Sequence, residues 1–325
     1  MSALLDIRGL SVEFRTSAGV LRATEELSFT VGRGETVALV GESGSGKTTA
    51  ALSILRLIPD PPGRITGGEI RFGGRDLAAL PERELSDVRG RDIAMVFQDP
   101  LAALNPIQTI GDQMTEMLRR HRKVAREEAK ERAIEMLRLV GMPSPERLFG
   151  RYPHSLSGGM RQRAIIGIAL MCHPQLLVAD EPTSALDVTV QAQVLALLLE
   201  LKRRLGMAVL LITHDLGVVA EVADQVVVMY AGRKVEEGEV NDIFARPRHP
   251  YTAALLDAAR LELSRDGYLP EIPESAPAHP GQAAGCSFAP RCAHALARCR
   301  SETPRLEDVA PGRPVACFRA AEMPI

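Results

Sequence analysis

Residues 41–48 read Gly-Glu-Ser-Gly-Ser-Gly-Lys-Thr, which fills the pattern G-x-x-x-x-G-K-[ST]. The run directly follows an apolar strand-like segment, Thr36 to Val40. It opens a helix-like stretch from Thr48 to about Leu57, stopped by Pro59, Pro61 and Pro62. Strand, glycine loop and helix in that order place a cradle of backbone N–H groups at a helix N-terminus. Gly41, Gly44 and Gly46 let successive N–H groups turn inward around phosphate oxygens, with Glu42, Ser43, Ser45 and Thr49 completing the loop and first turn. Lys47 is placed to reach the β- and γ-phosphates of a nucleotide, and Thr48 to ligate Mg²⁺. A chance glycine turn lacks this flanking context, so nucleotide binding is expected.

Further along, Leu176 to Ala179 is a fully apolar strand that ends in Asp180-Glu181. An acidic pair at a strand end is, alone, as readable as a helix cap or a solvated turn. Downstream of a phosphate loop it takes on two roles: Asp180 holds Mg²⁺ and Glu181 polarises a water that attacks the γ-phosphate. A general base beside the metal-binding acid predicts a hydrolase.

The surrounding sequence predicts an α/β protein. Short alternating runs, Leu5 to Phe14 and Leu27 to Val31, read as strands, Gly67 to Asp76 as a hairpin, and Ile93 to Phe97 as a buried strand. Residues Ile110 to Val140 turn to a charged, helix-period pattern that predicts an inserted helical subdomain over about 99–162. Helix, strand, helix and strand then follow through Met171, Ala179, Leu201 and Thr213, which implies a mostly parallel sheet covered on both faces. Beyond about Leu263, proline, alanine and glycine accumulate and four of the five cysteines fall between 286 and 317. The expected division is therefore 1–262 and 263–325.

Net charge of −2, from 39 basic and 41 acidic residues, argues against a nucleic-acid partner. The longest apolar stretches fall well short of the ~18 residues of a membrane span. The first residues carry Asp6 within their apolar run and do not read as a signal peptide. A cytoplasmic chain is expected, and in that compartment the cysteines are more readily metal ligands, catalytic groups or core fillers than disulfides. Cys172 reads as a core filler.

The segment Leu156-Ser157-Gly158-Gly159-Met160-Arg161-Gln162-Arg163 resembles the signature motif of ABC ATPases. The phosphate loop, Gln98 after a strand, this signature, Asp180-Glu181, Asp187 in Ser184-Ala-Leu-Asp187, and His214 after a strand together resemble the ordered ABC set over residues 4–240. The resemblance implies a P-loop ABC ATPase core with an antiparallel β subdomain, an inserted helical subdomain and a small cysteine-rich extension. It implies a head-to-tail dimer that sandwiches two ATPs, with Ser157, Gly158 and Gly159 acting on the neighbour's γ-phosphate. Gln98 would contact Mg²⁺, His214 would hydrogen-bond the γ-phosphate, Asp187 would couple the two sites, and Phe14 would stack on adenine. An ordinary core phenylalanine is the other reading of Phe14.

Met160, the run Ala185-Leu-Asp-Val-Thr-Val-Gln-Ala-Gln193, Arg248-His-Pro-Tyr-Thr252 and the tail Gly285-Cys-Ser-Phe-Ala-Pro-Arg-Cys292 resemble the dipeptide/oligopeptide importer ATPases. That branch implies a second, different ATPase as partner in a heterodimer. It also implies two transmembrane permease subunits, an indirect extracytoplasmic solute-binding protein, and a place on the cytoplasmic face of the cell membrane. Import of nickel complexes or other small solutes is the alternative, and a soluble non-transport ABC ATPase the distant one. Cys286, Cys292, Cys299 and Cys317 are spaced C-x5-C-x6-C-x17-C, which by itself names no metal. Four thiolates suit Zn²⁺ or a [4Fe-4S] cluster, with free thiols also open, and the resemblance favours the cluster.

Overall fold

Burial along the strand Leu5–Thr16 alternates, with Leu5 and Ile7 inside, shifts by one residue at Gly9, and resumes at Leu10 and Val12. The shift is a bulge in the pairing with Gly19–Val31. These two strands, with Gly63–Phe72 and Arg75–Asp76, form a four-stranded antiparallel sheet ordered second, first, third, fourth in the chain. The computed structural model describes residues 3–184, 186–259 and 284–322, and the expected boundary at 262–263 lies outside the described residues. They fall into two units, one from residues 1–79 and 212–325 and the other from 80–211.

In the first unit the wholly buried strand Thr36–Val40 pairs in parallel with Gln225–Tyr230. Arg233–Glu239 pairs antiparallel with Gln225–Tyr230. Two-residue strands from the cysteine-bearing tail, Pro314–Val315 and Glu307–Asp308, are added at its edge. These are too short to leave a period in the sequence. A core of Ala38, Val40, Val226, Val228, Tyr230, Tyr251 and Phe288 lies beneath, so the tail shares the hydrophobic core of this unit. Glu236, fully buried, accepts the N–H groups of Arg248 at 2.8 Å and His249 at 2.9 Å and faces the Arg313 guanidinium at 3.3 Å. Burial pushes its carboxyl above the usual range, and the surrounding donors oppose that.

In the second unit Ile93–Val96 pairs in parallel with the wholly buried Leu176–Asp180, as the apolar runs predict. The expected long helical stretch is two helices, Ile110–His121 and Arg126–Leu139. The break falls where Arg122 turns extended and its guanidinium donates to the Cys172 carbonyl at 3.2 Å. Gly158–Leu170 and Val188–Leu205 follow, the latter ended by Gly206 in the left-handed region. The chain passes from this unit to the first within the buried strand Ala208–Thr213. Cys172 is buried, and desolvation raises its thiol, as suits a core position.

Candidate nucleotide-binding and hydrolysis site

The loop from Gly41 to Gly46 leaves the buried strand Thr36–Val40 and enters the helix Lys47–Ile54. Gly46 adopts φ 98°, and a Cβ there would sit 2.2 Å from the Ala23 carbonyl oxygen, so only glycine lets the loop lie this close to the β-sheet. Gly46 offers no side chain to cap the helix. The Lys47 ammonium is drawn into the loop, donating to the carbonyls of Gly41 at 2.7 Å and Glu42 at 2.8 Å and lying 3.4 Å from the Ser45 hydroxyl. Ser45 is buried, while Ser43, Gly44 and Thr48 are exposed and Thr49 half-buried. Loop carbonyls and the Ser45 hydroxyl thus converge on the Lys47 ammonium.

Glu42 is held from three sides. Its N–H donates to the Tyr251 hydroxyl at 2.8 Å, its carbonyl takes the Lys47 ammonium, and its carboxylate receives both arms of the Arg291 guanidinium at 2.8 and 2.9 Å. The sequence assigned Arg291 and Tyr251 no role at this site. Their one local signal is a charged residue set between proline and cysteine in Pro290-Arg291-Cys292, and an aromatic in the His249-Pro-Tyr251 motif. Phe14 is half-buried and lies across from Gly63, whose added Cβ would meet its ring at 2.7 Å. His214 is exposed directly after Ala208–Thr213, held between buried Thr213 and Asp215, which caps Leu216–Val222.

In the other unit Gln98, exposed after Ile93–Val96, donates from its amide to the Glu181 carboxylate at 2.8 Å. Glu181 sits at φ 45°, a conformation that costs a non-glycine residue energy and that turns the chain sharply out of Leu176–Asp180. Asp180 is buried at the end of the same strand. Ser157 caps Gly158–Leu170 by accepting the Met160 N–H at 3.4 Å, and Gly158 is exposed. A Cβ on Gly159 would lie 2.7 Å from Val190, so the glycine permits close approach of the signature helix to Val188–Leu205. Asp187 caps that second helix, accepting the Val190 N–H at 3.0 Å. The cap is a structural duty the sequence reading did not assign to Asp187.

Thr48 in the first unit, and Gln98 and Asp180 in the second, each carry an oxygen donor of the kind Mg²⁺ takes. The four tail cysteines are unbridged and line one small cavity of about 20 Å³ with His249, Phe288, His294 and Phe318. Desolvation raises the thiols of Cys286, Cys292 and Cys317. Among the described residues no three His, Cys, Asp or Glu side chains are disposed as a ready ligand set. The tail brings the four sulfurs to one cavity.

A strand-to-helix phosphate loop, an acid pair at a strand end and a capped Ser-Gly-Gly helix are the parts of a nucleotide-hydrolysing cassette. Residues 24–184 match the ABC transporter family and residues 235–299 match the oligopeptide/dipeptide transporter C-terminal region. The chain is 51% identical to a probable peptide ABC transporter ATP-binding protein of Sinorhizobium fredii, over 98% of this chain and 96% of that one. It is 47% identical to the oligopeptide transport ATP-binding protein OppD of Salmonella typhimurium, over 99% and 95%. The dimeric post-hydrolysis structure of the ATP-binding cassette MJ0796 with ADP and Pi superposes with TM-score 0.65 at 27% identity, over 73% and 98%. The chain belongs to the ATP-binding subunits of ABC transporters and is an ABC-type ATPase. Among the described residues no helix is long and apolar enough to cross a membrane.

Proposed function

We propose that this chain hydrolyses ATP to energise import of di- or oligopeptides through separate membrane subunits, on whose cytoplasmic side it docks. The observation that carries the reading is the match of the tail region to the oligopeptide/dipeptide transporter C-terminal region, joined to full-length relatives named for peptide transport. Lys47, the loop N–H groups of 41–46 and Thr48 bind the triphosphate and its Mg²⁺ with Asp180. Glu181, held by Gln98, takes a proton from the attacking water, and His214 contacts the γ-phosphate. Ser157, Gly158 and Gly159 serve the ATP of a second, different ATPase subunit, and Asp187 couples the sites. Phe14 stacks on adenine. The working division is an ATPase domain of 1–262, with helical insertion near 99–162, and an extension of 263–325.

Cys286, Cys292, Cys299 and Cys317 would hold a thiolate-ligated metal centre, [4Fe-4S] or Zn²⁺. A soft metal held by these thiolates would supply a crosslink within the tail. Iron and acid-labile sulfide in anaerobically purified protein test the cluster, and zinc with neither would replace it.

Uptake of a labelled dipeptide and a labelled tetrapeptide, in cells lacking the chain and complemented with wild type or Glu181→Gln, tests the transport reading. Rescue by wild type alone is expected. Peptide uptake independent of the chain would turn the assignment toward nickel complexes or another small solute.

A further inference from the structure

Arg291 closes a short turn, Ala289–Arg291, that lies between Cys286 and Cys292. Its N–H donates to Phe288 at 3.0 Å and the Cys292 N–H donates to Ala289 at 3.3 Å, so the turn sets where the guanidinium begins. The side chain is 4% exposed, 5.7 Å over the ring of Tyr230 and 5.9 Å over that of Phe288, with a further bond to the Tyr230 hydroxyl at 3.2 Å. A guanidinium this far out of water needs a matched anion, and Glu42 supplies it with two parallel hydrogen bonds. The pairing raises the guanidinium above its ordinary value.

Glu42 is the second residue of the phosphate loop. An unpaired carboxylate there would oppose an incoming triphosphate. Its N–H and carbonyl are tied to Tyr251 and Lys47, so displacing its side chain would also disturb the lysine. Tyr230, Tyr251 and Phe288 fill the space between loop and cysteine turn, with ring centroids 4.6 to 5.4 Å apart.

We propose that Arg291 is a positioning residue for ATP binding: it fixes and neutralises Glu42, so that the cysteine-bearing extension sets the affinity of the phosphate loop. This rests on the loop being the ATP site. Ordering or loosening of the turn that carries Arg291 then reaches the nucleotide through one ion pair, without contact between extension and nucleotide.

The test is titration of purified full-length chain with a fluorescent ATP analogue, alongside thermal denaturation, for wild type, Arg291→Met, Arg291→Lys, Glu42→Gln and the Arg291→Met/Glu42→Gln double variant. Loss of one neutralising charge beside a triphosphate predicts about tenfold weaker binding for Arg291→Met, expressed in turnover as raised KM at nearly unchanged kcat. Arg291→Lys, which keeps the charge and loses the fork, is expected about threefold weaker and carries the test if the methionine variant does not fold. Removing the carboxylate as well should restore binding to within about threefold of Glu42→Gln. A role confined to tethering the extension predicts no such recovery, and a double variant as weak as Arg291→Met overturns the inference. Unchanged affinity in folded Arg291→Lys and Arg291→Met also overturns it while leaving the ATP site standing. A wild-type chain that binds no ATP would overturn both.

Discussion

Gln98 and Glu181, 83 positions apart in the chain, are joined by a hydrogen bond of 2.8 Å from amide to carboxylate. The donor sits two residues past the end of one strand of a parallel pair and the acceptor directly after the other, so the register that pairs Val96 with Ala179 sets their meeting. Glu181→Gln should cut ATP turnover by roughly 10² to 10⁴-fold, the usual share of a general base, while retaining ATP binding. Gln98→Ala should cost on the order of tenfold in kcat, because the carboxylate keeps its chemistry and loses its orientation. Steady-state phosphate release with parallel binding titrations checks both. Equal loss of binding and turnover would count against the catalytic assignment.

Gly46→Ala should be far costlier than an ordinary loop substitution. It combines a left-handed φ of 98° with a Cβ 2.2 Å from backbone oxygen, and backbone oxygen cannot step aside as a side chain can. Destabilisation on the order of 3 kcal/mol is expected, together with loss of ATP binding. Denaturant unfolding measures the first and nucleotide titration the second.

Asp187 separates two duties. As the cap of Val188–Leu205, its replacement by alanine should cost about 1 kcal/mol, whereas Asp187→Asn keeps an accepting oxygen and should cost little. If Asp187 also couples two ATP sites, Asp187→Asn will lower turnover at unchanged unfolding temperature. Wild-type turnover in the asparagine variant would leave the cap as its whole role.

His249 is 2% exposed, and burial pushes its imidazole down to about 3, below the ordinary 6.5. Its folded value is depressed, so the stability tied to the neutral ring is whole above about pH 6.5 and is lost as pH falls toward 3. The slope is at most about 1.4 kcal/mol per pH unit. His249→Leu cannot titrate but loses the acceptor for the Tyr251 N–H, which lies 3.0 Å from Nδ1. The variant should be about 1 kcal/mol less stable than wild type at pH 7.5, with the gap narrowing or reversing at pH 4.5. Denaturant unfolding at both pH values reads this, and a constant gap would place the acid sensitivity elsewhere.

The phosphate loop was legible in residues 41–48 because its physics is local: glycine conformations, a helix N-terminus and a lysine within eight consecutive positions. The buried strands Thr36–Val40 and Leu176–Asp180 were legible for a similar reason, since strands covered on both faces must be apolar throughout. Four cysteines within 286–317 likewise announced a shared site, and the tail does bring them to one cavity. The split of the helical stretch at Arg122 was not legible: the guanidinium there donates to the Cys172 carbonyl, 50 positions away, a contact that local periodicity does not register.

What the sequence determined by itself is the chemistry present: a triphosphate cradle, an acid pair, a signature helix start and a thiol-rich tail. What only the tertiary structure decided is which of these groups act on one another. The Arg291–Glu42 pair spans 249 positions, and neither residue's neighbours in the chain foretell the other. They meet because the tail adds strands to the edge of the first unit's sheet and shares its aromatic core. That core buries the guanidinium, and a buried guanidinium is stable only beside an anion held as firmly as itself.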